Sequence, residues 1–222
     1  MWTRKDIKSR GKAAFLNNYW KCVIVAFILS LLVSGLSSRS VNVKDAETVF
    51  TNISASFQLF VGVALLGSLI GILISIFVFN VIEVGGKRFF LNNREGQAQL
   101  DTLGYGFRSN YKNIVLVMFM RQLFIVLWTL LFIIPGIVKA YQYRLVPYLL
   151  AENPDLEWHQ ALDLSKAIMN GQKMNTFIYD LSFILWYLGS AITLGLLGVF
   201  FVSPYVNASD TELYVALKTI AQ

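Results

Sequence analysis

Four stretches of this chain, 22–36, 57–84, 114–138 and 177–202, are almost free of charge. Three of the four reach or exceed the roughly 20 residues that cross a bilayer as a helix. Polar segments bearing Lys and Asn run directly into the apolar ones at Asn17-Asn18-Tyr19-Trp20-Lys21, Asn110-Tyr111-Lys112-Asn113 and Asn170-Gly171-Gln172-Lys173-Met174-Asn175. With 56% hydrophobic and 14% charged residues among 222, one aqueous core has no room for the apolar side chains. The expected fold is therefore all-α and integral to a membrane, with the bilayer acting as solvent for much of the surface.

The net charge of +6 does not point to nucleic acid, because the cations flank the apolar runs instead of forming a basic helix or an aromatic-studded sheet. The lone Cys22 excludes an intramolecular disulfide framework and a cysteine zinc site. His159 is the sole histidine, and Asp155, Glu157 and His159 diverge around a helix, so no metal is expected. No nucleophile elbow or metalloprotease helix occurs, and Gly104-Tyr105-Gly106 lacks the Lys-Ser/Thr of a phosphate loop. An enzyme is not expected, nor a cofactor.

Topology follows from the cations. The first 21 residues carry six, Arg4, Lys5, Lys8, Arg10, Lys12 and Lys21, which places this end in the cytoplasm. They precede an apolar run as in a signal peptide, but helical spacing of Ile7, Ala14, Phe15 and Leu16 reads as an interfacial amphipathic helix over 1–19 before a retained span. The loop from 37 to 56 balances Arg39 and Lys44 against Asp45 and Glu47 and suits the outer face. Residues 85–113 bring five more cations, back inside.

About six spans in three hairpins result, over 20–36, 57–84, 114–134, 137–151, 176–192 and 194–207, within a single domain of 1–222 whose termini are both cytoplasmic. Pro135-Gly136 and Thr193-Leu194-Gly195 supply the turns. Four long spans kinked at Pro135, Pro147 and Pro204 are the competing topology. Between the fourth and fifth spans, 154–170 reads as a cytoplasmic amphipathic helix capped by Asn153, with Trp158, Ala161, Leu162, Ser165, Ile168 and Met169 on one face.

Taken together, Trp2-Thr3-Arg4, Asn18-Tyr19-Trp20-Lys21, Ile134-Pro135-Gly136-Ile137, Tyr141-Gln142-Tyr143, Pro147-Tyr148, Ala151-Glu152-Asn153-Pro154, Ala161-Leu162, Ser165, Met169-Asn170-Gly171, Asp180-Leu181-Ser182-Phe183 and Trp186 resemble the bacterial membrane family catalogued as domain of unknown function 975. The resemblance runs over nearly the whole chain, least in 37–56 and beyond Tyr205. It implies a polytopic membrane protein within the broader Yip1-like group, and no reaction or ligand.

Charges inside the spans are the candidate functional residues, since each costs at least about 2.5 kcal/mol at mid-bilayer unless partnered. Glu83, Arg121, Arg144 and Asp180, edged by Tyr141 and Ser182, are expected to form one polar cluster. Gly67 and Gly71 in the second span read as a helix-packing pair. Two functions fit this pattern. The preferred one is a non-enzymatic scaffold, assembly partner or protective factor of the cell envelope, working among membrane lipids with a membrane-protein partner or a second copy. The alternative is a small transporter or lipid-handling permease, suggested by short helices broken at Pro and Gly.

Overall fold

The computed structural model describes residues 2–34, 67, 71–193 and 195–221, the side chains of 30–34 excepted. The expected outer loop at 37–56, Gly62, most of 57–70 and Leu194 lie outside these residues. Every regular element among the described residues is helical.

Helix α1, Arg4–Asn17, starts where the Thr3 hydroxyl accepts the Asp6 amide at 3.2 Å, with the Asp6 carboxylate placed at the positive end of the helix dipole. Its stripe of Ile7, Gly11 and Phe15 is buried, and what covers it is the C-terminal helix. After Asn18 the chain continues as α2, Tyr19–Ser34. Helix α3, Asn80–Arg94, extends a π-helical turn at Ser75–Phe79 and buries Val81, Val84, Phe89 and Phe90. A 3₁₀ turn at Leu100–Gly104 and the short α4, Tyr105–Arg108, fold back on it.

Helix α5, Tyr111–Leu131, is the one helix among the described residues long and apolar enough to cross a bilayer, with mean hydropathy 2.2. At 1.5 Å per residue it measures about 31 Å, matching a hydrocarbon core of about 30 Å. Reversal comes at Phe132, whose extended backbone (φ −155°, ψ 139°) ends α5 and opens α6, Ile133–Gln142. This corrects the expected turn at Pro135-Gly136. Pro135 sits in the first turn of α6, where its missing amide hydrogen has no intrahelical acceptor to lose, and Gly136 packs against Thr129 of α5.

The returning limb is not the single helix expected over 137–151. It breaks at Tyr143–Leu145 and resumes as α7, Val146–Glu152, with Pro147 in its first turn. The helix expected from 154 begins four residues later as α8, Trp158–Ile168. Asn153 instead closes α7, its amide donating to Leu149 O at 2.8 Å, while its side chain accepts the Asp155 amide at 3.2 Å. Ala161, Leu162, Ser165 and Ile168 form the buried face, covered by α5, α7 and the C-terminal helix.

The stretch expected as one span over 176–192 is two helices, α9 Lys173–Leu181 and α10 Ile184–Ile192, separated at Ser182-Phe183. Gly195, at φ +86°, takes the left-handed turn that follows. A second π-helical turn, Gly198–Val202, then runs into α11, Ser203–Ala221, which continues well past the expected end at 207.

Two adjoining clusters form the interior. One joins Phe15, Phe89, Tyr148, Tyr179, Phe183 and Tyr214; the other joins Val81, Ile114, Met118, Val146, Leu150 and Leu162. Exposed apolar side chains concentrate at the hairpin tips, where Leu130 to Ile134 are 63–78% exposed and Leu185, Ile192 and Leu196 are similarly bare.

Candidate functional site

The break between α6 and α7 points Arg144 at two carboxylates. One amino group donates to Asp180 Oδ2 at 2.5 Å and the other to Asp210 Oδ1 at 3.0 Å. Tyr141 Oη donates to the same Asp180 oxygen at 2.8 Å, and Tyr179 Oη to Asp210 Oδ1 at 3.2 Å. A single guanidinium thus ties the α6–α7 break, the end of α9 and the middle of α11. Beside it Lys87 of α3 donates to Asn207 Oδ1 at 3.1 Å and lies 5.0 Å over the Tyr148 ring, adding a fourth element.

Arg121 and Glu83 form a separate pair at 3.7 Å, and Arg121 Nε also donates to Tyr143 O at 3.0 Å. Arg121 and Tyr143 are equidistant in sequence from Phe132, so this bond fixes the register of the α5–α6 hairpin. The six expected residues therefore divide. Tyr141, Arg144 and Asp180 converge; Glu83 and Arg121 pair with each other across α3 and α5. Ser182 joins neither group, because its hydroxyl donates to Tyr179 O while its own carbonyl accepts Lys8 Nζ at 3.1 Å.

Asp210, Asn207, Tyr179 and Lys87 belong to the network and were absent from the expected cluster. Spacing carried the missing signal: Asn207, Asp210 and Tyr214 fall three and four apart, on one face of a helix. The same helix supplies a second ionic tie. Glu212, buried in α11, receives Arg94 Nε at 2.8 Å and faces Arg10 at 3.6 Å, linking α3 and α1. Lower on α11, Tyr214 Oη donates to Glu152 Oε2 at 2.7 Å and stacks on Tyr148 at 4.8 Å. Burial first, and then this carboxylate, hold the Tyr214 phenol above its ordinary pKa.

Residues 111–221, half of the chain, match the family described as Protein of unknown function (DUF975). This protein belongs to the DUF975 family. The match contains both halves of the Arg144–Asp180–Asp210 bridge and the whole of α11, including the stretch beyond Tyr205 where the resemblance read from motifs was weakest. No curated protein and no solved structure matches the chain. Two cations, Arg144 and Lys87, face two carboxylates, Asp180 and Asp210, while Arg121 faces Glu83, so charge cancels locally. A cavity of about 600 Å³ lined by Trp2, Arg4, Gln172 and Asn175 lies apart from these pairs.

Proposed function

We propose that this DUF975 protein is a non-enzymatic, multi-pass protein of the cell membrane, with both termini cytoplasmic, acting as a scaffold, assembly partner or protective factor in the envelope. The kinship with the Yip1-like group, the bacterial setting and a count of about six spans belong to the same proposal. The observation that carries it is the mutual pairing of the charges: Arg144 is bound by Asp180 and Asp210, and Arg121 by Glu83, which suits locking of helices better than carriage of a solute. The bare apolar tips at Leu130–Ile134 and around Ile192 support insertion in lipid.

The transporter or lipid-handling reading rests on one specific feature, the two helix breaks at Tyr143–Leu145 and Ser182-Phe183 that meet at the Arg144–Asp180 bridge. Arg144→Ala separates the two. As an architectural residue its loss abolishes assembly and leaves fluxes of tested solutes unchanged; a changed flux in correctly assembled protein supports transport instead. Topology is tested by labelling single cysteines placed at Ser40, Glu95, Asp163 and Thr193. The first and last react from outside, the middle two only after permeabilisation, and any other pattern defeats the six-span arrangement.

A further inference from the structure

Between α5 and the helical stretch that leads into α3 lies a groove of about 710 Å³, with Ile72, Ile76 and Asn80 on one wall and Phe119, Gln122 and Leu123 on the other. Its size suits a side-chain ridge as well as a small molecule. Two features set it apart from the bare apolar tips. The first is polar: neither the Asn80 nor the Gln122 carboxamide has a hydrogen-bond partner among the described residues. The second is periodic: Leu116, Phe119, Leu123, Val126 and Leu130 are all exposed and are spaced three, four, three and four apart along α5. That is the heptad seam of two helices crossing at about 20°.

Depth decides what can cover this face. Gln122 lies about 15 Å by helical rise from either end of α5, which is mid-bilayer if α5 spans it. Lipid tails offer no hydrogen bond there, and ester groups sit at the interfaces, so lipid leaves both amides unsatisfied at a cost. A second copy satisfies them. Two copies inserted the same way are related by a two-fold axis along the membrane normal, which brings equivalent residues together at equal depth. A carboxamide carries both donor and acceptor, so it complements itself across such an axis.

We propose that α5 is the seam of a parallel homodimer, in which each copy's Leu116–Leu130 ridge seats in the other's groove and the Asn80 and Gln122 amides bond across the axis. This rests on the membrane reading above. Cys22 is the sole cysteine, so in a Cys22→Ala background one introduced cysteine cannot close a disulfide within a copy, and a band at twice the mass of the chain joins two. Cysteines are placed singly at Leu116, Phe119, Met120, Leu123, Phe124 and Val126 and oxidised in native membranes. Dimer bands that peak at Leu116, Phe119, Leu123 and Val126 and fall several-fold at Met120 and Phe124 support the seam. So does a several-fold loss of that dimer in Asn80→Ala/Gln122→Ala protein that keeps its trypsin resistance. A flat profile overturns it, as does a photo-reactive group at Gln122 that labels lipid or a different protein. Alkaline carbonate extraction of the same samples separates the two proposals: release from the membrane defeats the membrane reading, whereas retained protein with a flat profile defeats the seam alone.

Discussion

Arg144 shows how one side chain can hold three segments that share little sequence proximity. Both carboxylates and both phenols around it are spent on it or on each other, so removing it leaves Asp180 and Asp210 as neighbouring anions that keep their phenol donors and the nearby Lys87 but lose the guanidinium between them. Arg144→Ala is expected to cost about 3–5 kcal/mol, read as a lowered unfolding temperature in detergent, with Asp210→Asn costing less because Asp180 still serves the guanidinium. Tyr214 yields a pH prediction. Its phenol holds its proton more tightly when folded than when unfolded, so its stabilising contribution is complete below about pH 10 and declines as pH rises towards the elevated folded value. Stability measured between pH 8 and 12 should therefore fall at the alkaline end, and Tyr214→Phe should flatten that fall while lowering stability at pH 8 by about 1 kcal/mol.

Among the elements, α1 and α11 pack most intimately. A Cβ added at Gly11 would come within 2.5 Å of Ser209 Oγ and 2.6 Å of its Cα, and backbone cannot step aside as a side-chain tip can. Gly11→Ala is expected to destabilise by about 1–3 kcal/mol, and Gly11→Val by more, seen as earlier proteolysis of the α1–α2 junction. Apolar runs made the helices legible, and the Lys-Asn entrances located the start of α5. Helix breaks were harder to read. Proline at 135 suggested a turn because proline so often makes one, yet at the first turn of a helix it is harmless and the reversal fell to Phe132. Asn153 looked like a cap for the helix after it and proved to end the one before. Arg144, Asp180 and Tyr141 were readable as charge and phenol in apolar surroundings, whereas Asp210 lies in a more polar helix, where its spacing from Asn207 and Tyr214 marks a face without saying what that face docks against.

At the scale of the molecule, polar ties and exposed apolar surface are segregated: α11 supplies partners to Arg144, Arg94 and Glu152 through Asp210, Glu212 and Tyr214, the Arg121–Glu83 pair lies apart, and the hairpin tips carry the bare surface. Truncation after Val206 should therefore do more than shorten a terminus. It strips partners from Arg144, Arg94 and Glu152 together, and the expected outcome is loss of trypsin-resistant protein even though every apolar hairpin remains. Persistence of a resistant core would show that hydrophobic packing suffices. That Asp210 and Glu212 follow Arg94 and Arg144 by more than sixty residues also bears on biogenesis. Until α11 has emerged and docked, the guanidinium groups of Arg94 and Arg144 stand without their full complement of anions, a state of the nascent chain that would present chaperones with exposed, unmatched charge.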